Sequence, residues 1–138
     1  MERVLFDTNI ILDIALKRTP HFELASKLFE IIDEKKISGH VTASTISDIY
    51  YISKKEKGHH KAIEFISNLI EVLGVIGVDQ ETIIEALKIG LKDFEDSIQV
   101  SASKYHNLDC IITRNSRDFE ISDLNVYEPG DYLQRISR

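Results

Sequence analysis

The sequence predicts a three-layer α/β/α domain with a mainly parallel five-stranded sheet. Two observations carry this prediction: five short apolar segments rich in β-branched residues, and longer amphipathic segments that alternate with them. Parallel strands need right-handed crossovers and bury both faces, so this alternation favours a parallel sheet between two helical layers. The chain has 138 residues, of which 43% are hydrophobic, and this suits one domain, residues 1–138, around one core.

The five predicted strands are short apolar runs bounded by turn residues. They span residues 4–6, 37–43, 75–78, 109–113 and 124–127. We expect the strands at 75–78 and 109–113 to be buried, because apolar residues fill most of both runs.

Apolar residues at helical spacing fill the segments between these strands. The predicted helices are residues 10–16, 22–32, 44–58, 59–73, 81–89 and 96–105, with a short terminal helix after a turn at 128–130. Ser44 and Thr45 are candidate caps of the third helix, and Asp79 is the candidate cap of the fifth. Gly58 and Gly90 are the expected helix stops.

The charge balance excludes one simple kind of nucleic-acid binder. The chain has 17 Lys and Arg against 23 Asp and Glu, a net charge of -6, so it carries no general basic coat. Its apolar runs are far shorter than the ~20 residues that cross a bilayer, which predicts no membrane span. Cys110 is the only cysteine and no secretory leader is evident, so we expect a reducing, cytoplasmic setting. Within an apolar strand, Cys110 is expected to be a small buried hydrophobe.

Four aspartates are expected to meet at one edge of this sheet. Asp7 follows the first strand, Asp48 lies one turn into the third helix, Asp96 begins the sixth helix, and Asp118 follows the fourth strand. Ligands of parallel sheets bind beyond the carboxyl ends of the strands, where these segments converge. Carboxylates that meet there repel one another unless a cation neutralises them. An oxygen-only cluster of this kind predicts Mg²⁺ or Mn²⁺.

Two of these acids also have a purely structural interpretation. Asp7 precedes the first helix, and Asp is a favoured helix cap. Asp96 is either a cap or a first-turn acid favoured by the helix dipole, as are Asp93 and Glu95. The pattern alone leaves both interpretations open.

The charge of Asp48 is harder to explain as plain surface. On a helix it shares a face with Ile52 and is adjacent to Ile49, so it points along an expected core-facing stripe and needs a partner. Asp13, in contrast, is expected to form an i,i+4 pair with Lys17.

Three segments resemble the motifs of the PIN-domain nucleases. LFDTNIILD at residues 5–13 is similar to that family's opening motif, FEDSIQ at 94–99 to its central motif, and IITRNSRDF at 111–119 to its last motif. The three motifs occur in the family's order and span nearly the whole chain. As a set they are therefore specific, although each alone is weak.

The resemblance implies an acidic metal site, with catalytic and metal-binding roles for its members, and a set of supporting polar groups. The acidic site consists of Asp7, Asp96 and Asp118, with Asn115 beside them. The supporting polar groups are Thr8, Asn9 and Thr113. The family's remaining acid is commonly a Glu on the helix after the second strand, where this chain has Asp48. The shorter side chain withdraws the carboxylate by about one C–C bond, so Asp48 is expected to reach the metal through water.

The resemblance also implies a PIN-like fold and a function. The family fold is a parallel five-stranded sheet between helices, and the usual activity is metal-dependent cleavage of RNA phosphodiester bonds. Many small members are homodimeric toxins of toxin–antitoxin pairs, inhibited by a separately encoded antitoxin protein. The expected partners are therefore RNA, a second copy of the chain and an antitoxin.

Two groups of basic residues are candidates for holding RNA phosphates. Arg114 and Arg117 flank Asn115 and Asp118, and we expect them to bind a phosphate near the metal. Residues 54–61 carry four Lys and one Glu, a local charge of +3. This stretch is either a second RNA contact or solvated helix surface.

Other interpretations fit less well. A phosphatase of the haloacid-dehalogenase kind needs a second acid where this chain has Asn9, and a response-regulator receiver needs an acid where it has Phe6. Neither a P-loop nor a Rossmann glycine pattern is present in the sequence. The stronger rival is a catalytically silent PIN-like module that binds RNA or a protein, favoured by Asp48 and by the acidic net charge.

Overall fold

Five parallel strands form one sheet in the computed structural model, which describes residues 1–120 and 123–137. The strands are β1 (Glu2–Phe6), β2 (Ile37–Thr42), β3 (Gly74–Ile76), β4 (Cys110–Ile112) and β5 (Asn125–Tyr127). Their order across the sheet is β3-β2-β1-β4-β5, and every neighbouring pair is parallel. Strands β2 and β3 therefore lie on one side of β1, and β4 and β5 lie on its other side. In parallel sheets a crevice forms at the carboxyl ends of the two strands where the strand order reverses, here β1 and β4.

Seven α-helices in the described residues flank the sheet and confirm the predicted three-layer α/β/α class. They are α1 (Thr8–Ala15), α2 (His21–Asp33), α3 (Ala43–Lys57), α4 (His59–Val72), α5 (Gln80–Ile89), α6 (Phe94–Tyr105) and α7 (Pro129–Ile136). A 3₁₀ turn, Ser116–Phe119, follows β4.

The helix boundaries follow from caps and glycines, mostly as predicted. Asp79 accepts a hydrogen bond from the Thr82 N–H and begins α5. Gly58 (φ 91°) and Gly90 (φ 65°) end α3 and α5 with positive φ, which costs glycine little. The cap of α3 was predicted two or three residues too late: Thr42 caps it, because its Oγ1 accepts from the Thr45 N–H.

The core has two parts, one on each face of the sheet. Alternate residues of β1 divide between them: Val4 and Phe6 belong to one cluster, and Leu5 belongs to the other. β4 divides in the same way, with Ile112 in the first cluster and Ile111 in the second. The central strands are therefore covered on both faces, which explains why their sequences are continuous apolar runs.

The sheet edge corrects one prediction about burial. The segment 75–78 was expected to be buried, but β3 is an edge strand in which Val75 is 44% exposed and only Ile76 is buried. The prediction for Cys110 is confirmed: the residue is buried, and burial raises the pKa of its thiol to about 12. No helix in residues 1–120 or 123–137 has the length and apolar character to cross a bilayer.

Gly39 of β2 marks the tightest packing around the sheet. A Cβ at this position would lie 2.6 Å from Leu73 Cδ2 and 2.7 Å from Phe6 Cε2, closer than real Cβ contacts. We expect Gly39→Ala to lower the free energy of unfolding by about 1–3 kcal/mol because the core is overpacked. Urea denaturation measures the change.

The matched control for this variant is Gly77→Ala, where an added Cβ meets no atom within 4 Å. Both variants restrict the unfolded chain equally, so the difference between them isolates packing. Equal stabilities for the two variants would contradict the packing described here.

Candidate active site

An acidic cleft of about 350 Å³ opens beyond the carboxyl ends of β1 and β4. Its lining residues come from α1 and α6, each with the residue before it, from α3 and from the segment after β4; they are Asp7, Thr8, Asn9, Leu12, Asp48, Ile52, Asp93, Glu95, Asp96, Asn115 and Asp118. The four aspartates selected from the sequence all line this one cleft. Its wall contains six carboxylates and neither Lys nor Arg.

Asp7 is a nearly buried carboxylate held by two donors. It is 6% exposed, its Oδ1 accepts a hydrogen bond from Gln99 Nε2 at 3.0 Å, and its Oδ2 accepts one from Thr113 Oγ1 at 2.7 Å. Asp7 occupies the N-cap position of α1, but its side chain makes no cap hydrogen bond. The structure thus decides against the capping interpretation. A charge this buried needs such partners, and they fix the orientation of the carboxylate toward the cleft.

Thr113 supports the site from behind. It is fully buried, and besides donating to Asp7 its Oγ1 accepts a hydrogen bond from the Asn115 N–H at 3.0 Å. A hydroxyl both donates and accepts, so Thr113 ties Asp7 to the loop that carries Asn115 into the cleft. Asp118 lies farther along this loop, on the 3₁₀ turn, which is anchored by the buried Phe119. Thr113 itself does not line the cleft.

Asp93 is the N-terminal cap of α6. Its Oδ1 accepts hydrogen bonds from the N–H groups of Glu95 at 2.8 Å and Asp96 at 3.4 Å, so Asp93 is the cap. Asp96 is therefore a first-turn acid and not the cap, and its carboxylate is left for the cleft. Burial and the nearby charge of Asp7 raise the pKa of Asp96 to about 7.

Glu95 is a site residue that sequence reasoning did not select. It was considered only as a cap or first-turn acid, but it lines the cleft beside Asp48. Burial and a hydrogen bond with Asp48 raise the pKa of Glu95 to about 7. Its position next to Asp96 in the first turn of α6 was the available signal, once Asp93 is identified as the cap.

A chain of hydroxyl groups connects Glu95 to α3. Thr8 Oγ1 donates to Glu95 Oε1 at 3.1 Å and lies 2.9 Å from Thr45 Oγ1. Thr42 Oγ1 lies 3.1 Å from Thr45 Oγ1 at the start of α3. Thr42 donates to Thr45 and Thr8 donates to Glu95, so the hydroxyls donate in sequence from Thr42 through Thr45 and Thr8 to Glu95. The predicted supporting residue Thr8 thus connects α1, α3 and α6.

The environment of Asp48 corrects the expected core-facing stripe. Ile49 is fully buried as predicted, but Ile52 is exposed and lines the cleft together with Asp48. This side of α3 is therefore a wall of the cleft, where a carboxylate remains partly solvated and has Glu95 as its neighbour.

Arg114 and Asp13 form an ion pair that the sequence analysis did not anticipate. Arg114 Nε donates to Asp13 Oδ2 at 2.8 Å and Nη2 donates to Oδ1 at 3.2 Å, while Nη1 lies 3.3 Å from His21 Nε2. The expected pairing of Asp13 with Lys17 is therefore wrong. Arg114 does not line the acidic cleft, and Arg117 is exposed on the 3₁₀ turn. A phosphate-binding role for the two arginines stays a prediction.

The donor chemistry of the cleft fits a divalent cation. All its charged groups are carboxylates, and the raised pKa values of Glu95 and Asp96 reflect burial and mutual repulsion that a cation relieves. Among residues 1–120 and 123–137, no group of three or more Asp, Glu, His or Cys side chains is positioned to hold a metal ion. Mg²⁺ commonly binds through one or two carboxylates and retains several waters, so the cleft fits this ion without such a group.

The Asp13–Arg114 pair generates a stability prediction. Arg114→Met leaves the buried Asp13 carboxylate without its ion partner, so we expect the free energy of unfolding to fall by about 3 kcal/mol. Urea denaturation measures the loss, with Arg117→Met as the exposed control. An unchanged free energy of unfolding for Arg114→Met would show that this ion pair does not hold the loop after β4.

Solved structures of other proteins share this fold. A DNA-bound VapBC from Salmonella typhimurium is 18% identical, with a TM-score of 0.73 over 94% of this chain and 99% of that chain. A toxin–antitoxin complex from Klebsiella pneumoniae is 22% identical, with a TM-score of 0.69 over 91% and 97% of the two chains. VapC20 of Mycobacterium tuberculosis, a toxin that cleaves the sarcin–ricin loop, is 11% identical, with a TM-score of 0.64 over 78% and 86%. At these identities the likeness is one of fold.

Sequence comparison gives the family. No curated protein matches the chain significantly. The profile of the family described as PIN domain matches residues 3–117, which include Asp7, Asp48, Asp96 and Asn115 and end one residue before Asp118. The match covers most of the chain and agrees with the parallel sheet and the position of the acidic cleft, and the chain therefore belongs to the PIN domain family.

Proposed function

We propose that this protein is a metal-dependent ribonuclease that hydrolyses RNA phosphodiester bonds as the toxin of a toxin–antitoxin pair. The observation that carries the proposal is the acidic cleft, in which separate segments bring six carboxylates together beyond the carboxyl ends of β1 and β4. Asp93 caps α6, but the other five carboxylates lie in the cleft with no Lys or Arg among its lining residues. Such a cleft is suited to a divalent cation and a phosphate bound to it.

The family and the structural neighbours support the proposal. The chain is a PIN domain, and its neighbours include toxin–antitoxin complexes and a toxin that cleaves the sarcin–ricin loop. The proposed partners are an RNA substrate, an antitoxin protein and a second copy of the chain, in a cytoplasmic setting. Co-expression with a neighbouring short reading frame, followed by sedimentation of the purified protein, tests the last two partners.

We assign the cation site to Asp7, Asp96 and Asp118, which would hold the ion directly or through its retained waters, with Asp48 contributing through water, and the ion to Mg²⁺ or Mn²⁺. When bound, the ion supplies an activated water and stabilises charge on the attacked phosphate. The chain's own residues orient the site: Gln99 and Thr113 hold the Asp7 carboxylate, and the loop bond from Thr113 positions Asn115. Oriented carboxylates of this kind hold a ligand without reorganising.

The same carboxylates control access to the cleft. A phosphodiester and the acidic cleft carry the same sign of charge, so they repel one another in the absence of a cation. We therefore expect productive RNA binding in the cleft to depend on the divalent ion and on few local bases. This dependence reconciles an acidic protein with a polyanionic substrate.

The central variants are Asp7→Asn and Asp96→Asn, with the exposed Asp33→Asn as the control. We expect each cleft variant to lower cleavage of mixed RNAs in Mg²⁺ or Mn²⁺ by about 100-fold or more, since each removes a charge that holds the ion. The control variant is expected to retain full activity. Denaturing gels measure cleavage, and circular dichroism verifies folding.

Two results would overturn the assignment. Cleavage that survives both cleft substitutions would remove the metal site from the reaction. No cleavage by the wild type with either metal, combined with retained RNA or protein binding, would favour the catalytically silent module, which Asp48 and the net charge of -6 also favour.

Gln99 provides a second test through a residue that does not line the cleft. Gln99→Met removes one of the two donors to Asp7, and we expect cleavage to fall about 10- to 100-fold with partial recovery at higher metal concentration. The exposed Gln80→Met is the matched control. Full activity of Gln99→Met at low metal concentration would show that this hydrogen bond does not orient Asp7.

A further inference from the structure

A second groove, of about 360 Å³, lies apart from the acidic cleft, between the end of α1 and the helices α3 and α4. Three lysines line it, Lys17, Lys57 and Lys61, together with Ser53, Asn68 and one acid, Glu64. None of these residues belongs to the acidic cleft.

The three lysines are unpaired. No ion pair in the described part of the chain includes Lys17, Lys57 or Lys61. In a chain with a net charge of -6, a groove with three cations and one acid is a local exception that attracts anions. Each ammonium offers three donors, and lysine binds phosphate as a point charge.

Ser53 is an independent indication of a ligand. It is only 3% exposed, and its hydroxyl has no hydrogen-bond partner among the described residues. Buried hydroxyls are nearly always paired, so an unpaired one in the wall of a cationic groove is suited to an oxygen acceptor that the chain does not supply. The Asn68 amide adds a further donor to the same groove.

The groove and the cleft are connected by one helix. Asp48 and Ile52 of α3 line the cleft, while Ser53 and Lys57 of the same helix line the groove. Asp48 and Lys57 are nine residues apart, about 13 Å along the helix axis and about 180° around it, a separation that several nucleotides of single-stranded RNA span.

The neighbouring acidic cleft favours RNA over an acidic peptide as the ligand. A strand with one phosphodiester in the cleft carries further phosphates, and lysines that follow the backbone are typical of single-stranded nucleic-acid sites.

We propose that the groove of Lys17, Lys57 and Lys61 binds a backbone phosphate of single-stranded RNA that flanks the bond in the acidic cleft. The lysines neutralise the phosphate, and the hydroxyl of Ser53 donates to one of its oxygens. The identity of this RNA as the substrate rests on the proposed function, but the binding itself does not.

The test measures binding by fluorescence anisotropy of a short mixed-sequence single-stranded RNA, in an Asp96→Asn background in which we expect cleavage to be about 100-fold slower. One triple variant changes Lys17, Lys57 and Lys61 to Gln. A control triple variant changes Lys27, Lys36 and Lys88 to Gln, which removes the same charge from residues that do not line the groove. We expect the groove variant to weaken binding about tenfold or more at low salt and to reduce the slope of log K against log salt by about 1–2. The control variant is expected to change both quantities far less.

Two results would overturn the proposal: unchanged RNA binding by the groove variant, or equal losses in the two triple variants. Unchanged RNA binding with a loss of poly-glutamate binding, measured in the same way, would identify an acidic-peptide site. Wild-type cleavage in Mg²⁺ or Mn²⁺, measured in parallel, separates this proposal from the ribonuclease. An inactive wild type with groove-dependent binding refutes only the ribonuclease. An active wild type with groove-independent binding refutes only the groove.

Discussion

The buried carboxylate of Asp7 is the constraint on which the arrangement of the cleft depends. It follows β1 directly, at the carboxyl ends of the paired strands β1 and β4, and it has little solvent to stabilise its charge. Its two donors come from different parts of the chain, Gln99 from α6 and Thr113 from the end of β4. Satisfying one buried charge therefore fixes the relative position of three segments that line or support the cleft.

The distribution of charge follows from the same cleft. Six acids line it, and the 17 acids that remain of the chain's 23 equal the number of Lys and Arg residues. The cleft thus holds an excess equal to the whole net charge of -6, and the rest of the chain is formally balanced. Burial, together with this concentration of like charge, raises the pKa values of Asp96 and Glu95 to about 7.

The features of the fold and of the cleft that were predicted correctly are those that depend on local sequence pattern. The alternation of apolar runs and amphipathic segments predicted five parallel strands, and positions next to strand ends predicted that Asp7, Asp48, Asp96 and Asp118 line one cleft. The Gly58 and Gly90 stops were also evident, because a residue with positive φ at a helix end is usually glycine.

The remaining features depend on contacts between distant segments. Arg114 is 101 residues from Asp13 and Gln99 is 92 residues from Asp7, so no local spacing shows either pairing. The exposure of Val75 follows from strand order, which a single sequence does not specify. Glu95 was overlooked because its partners, Asp48 and Thr8, lie on two other helices.

The central claim is that the acidic cleft holds a divalent cation through Asp7 and Asp96. The most direct measurement is anomalous X-ray scattering from crystals of the protein soaked in Mn²⁺. The account predicts an anomalous peak within coordination distance of a carboxylate oxygen of Asp7 or Asp96, and none there in the Asp7→Asn, Asp96→Asn double variant. A fully soaked wild-type crystal with no peak in the cleft, or an unchanged peak in the double variant, would contradict it.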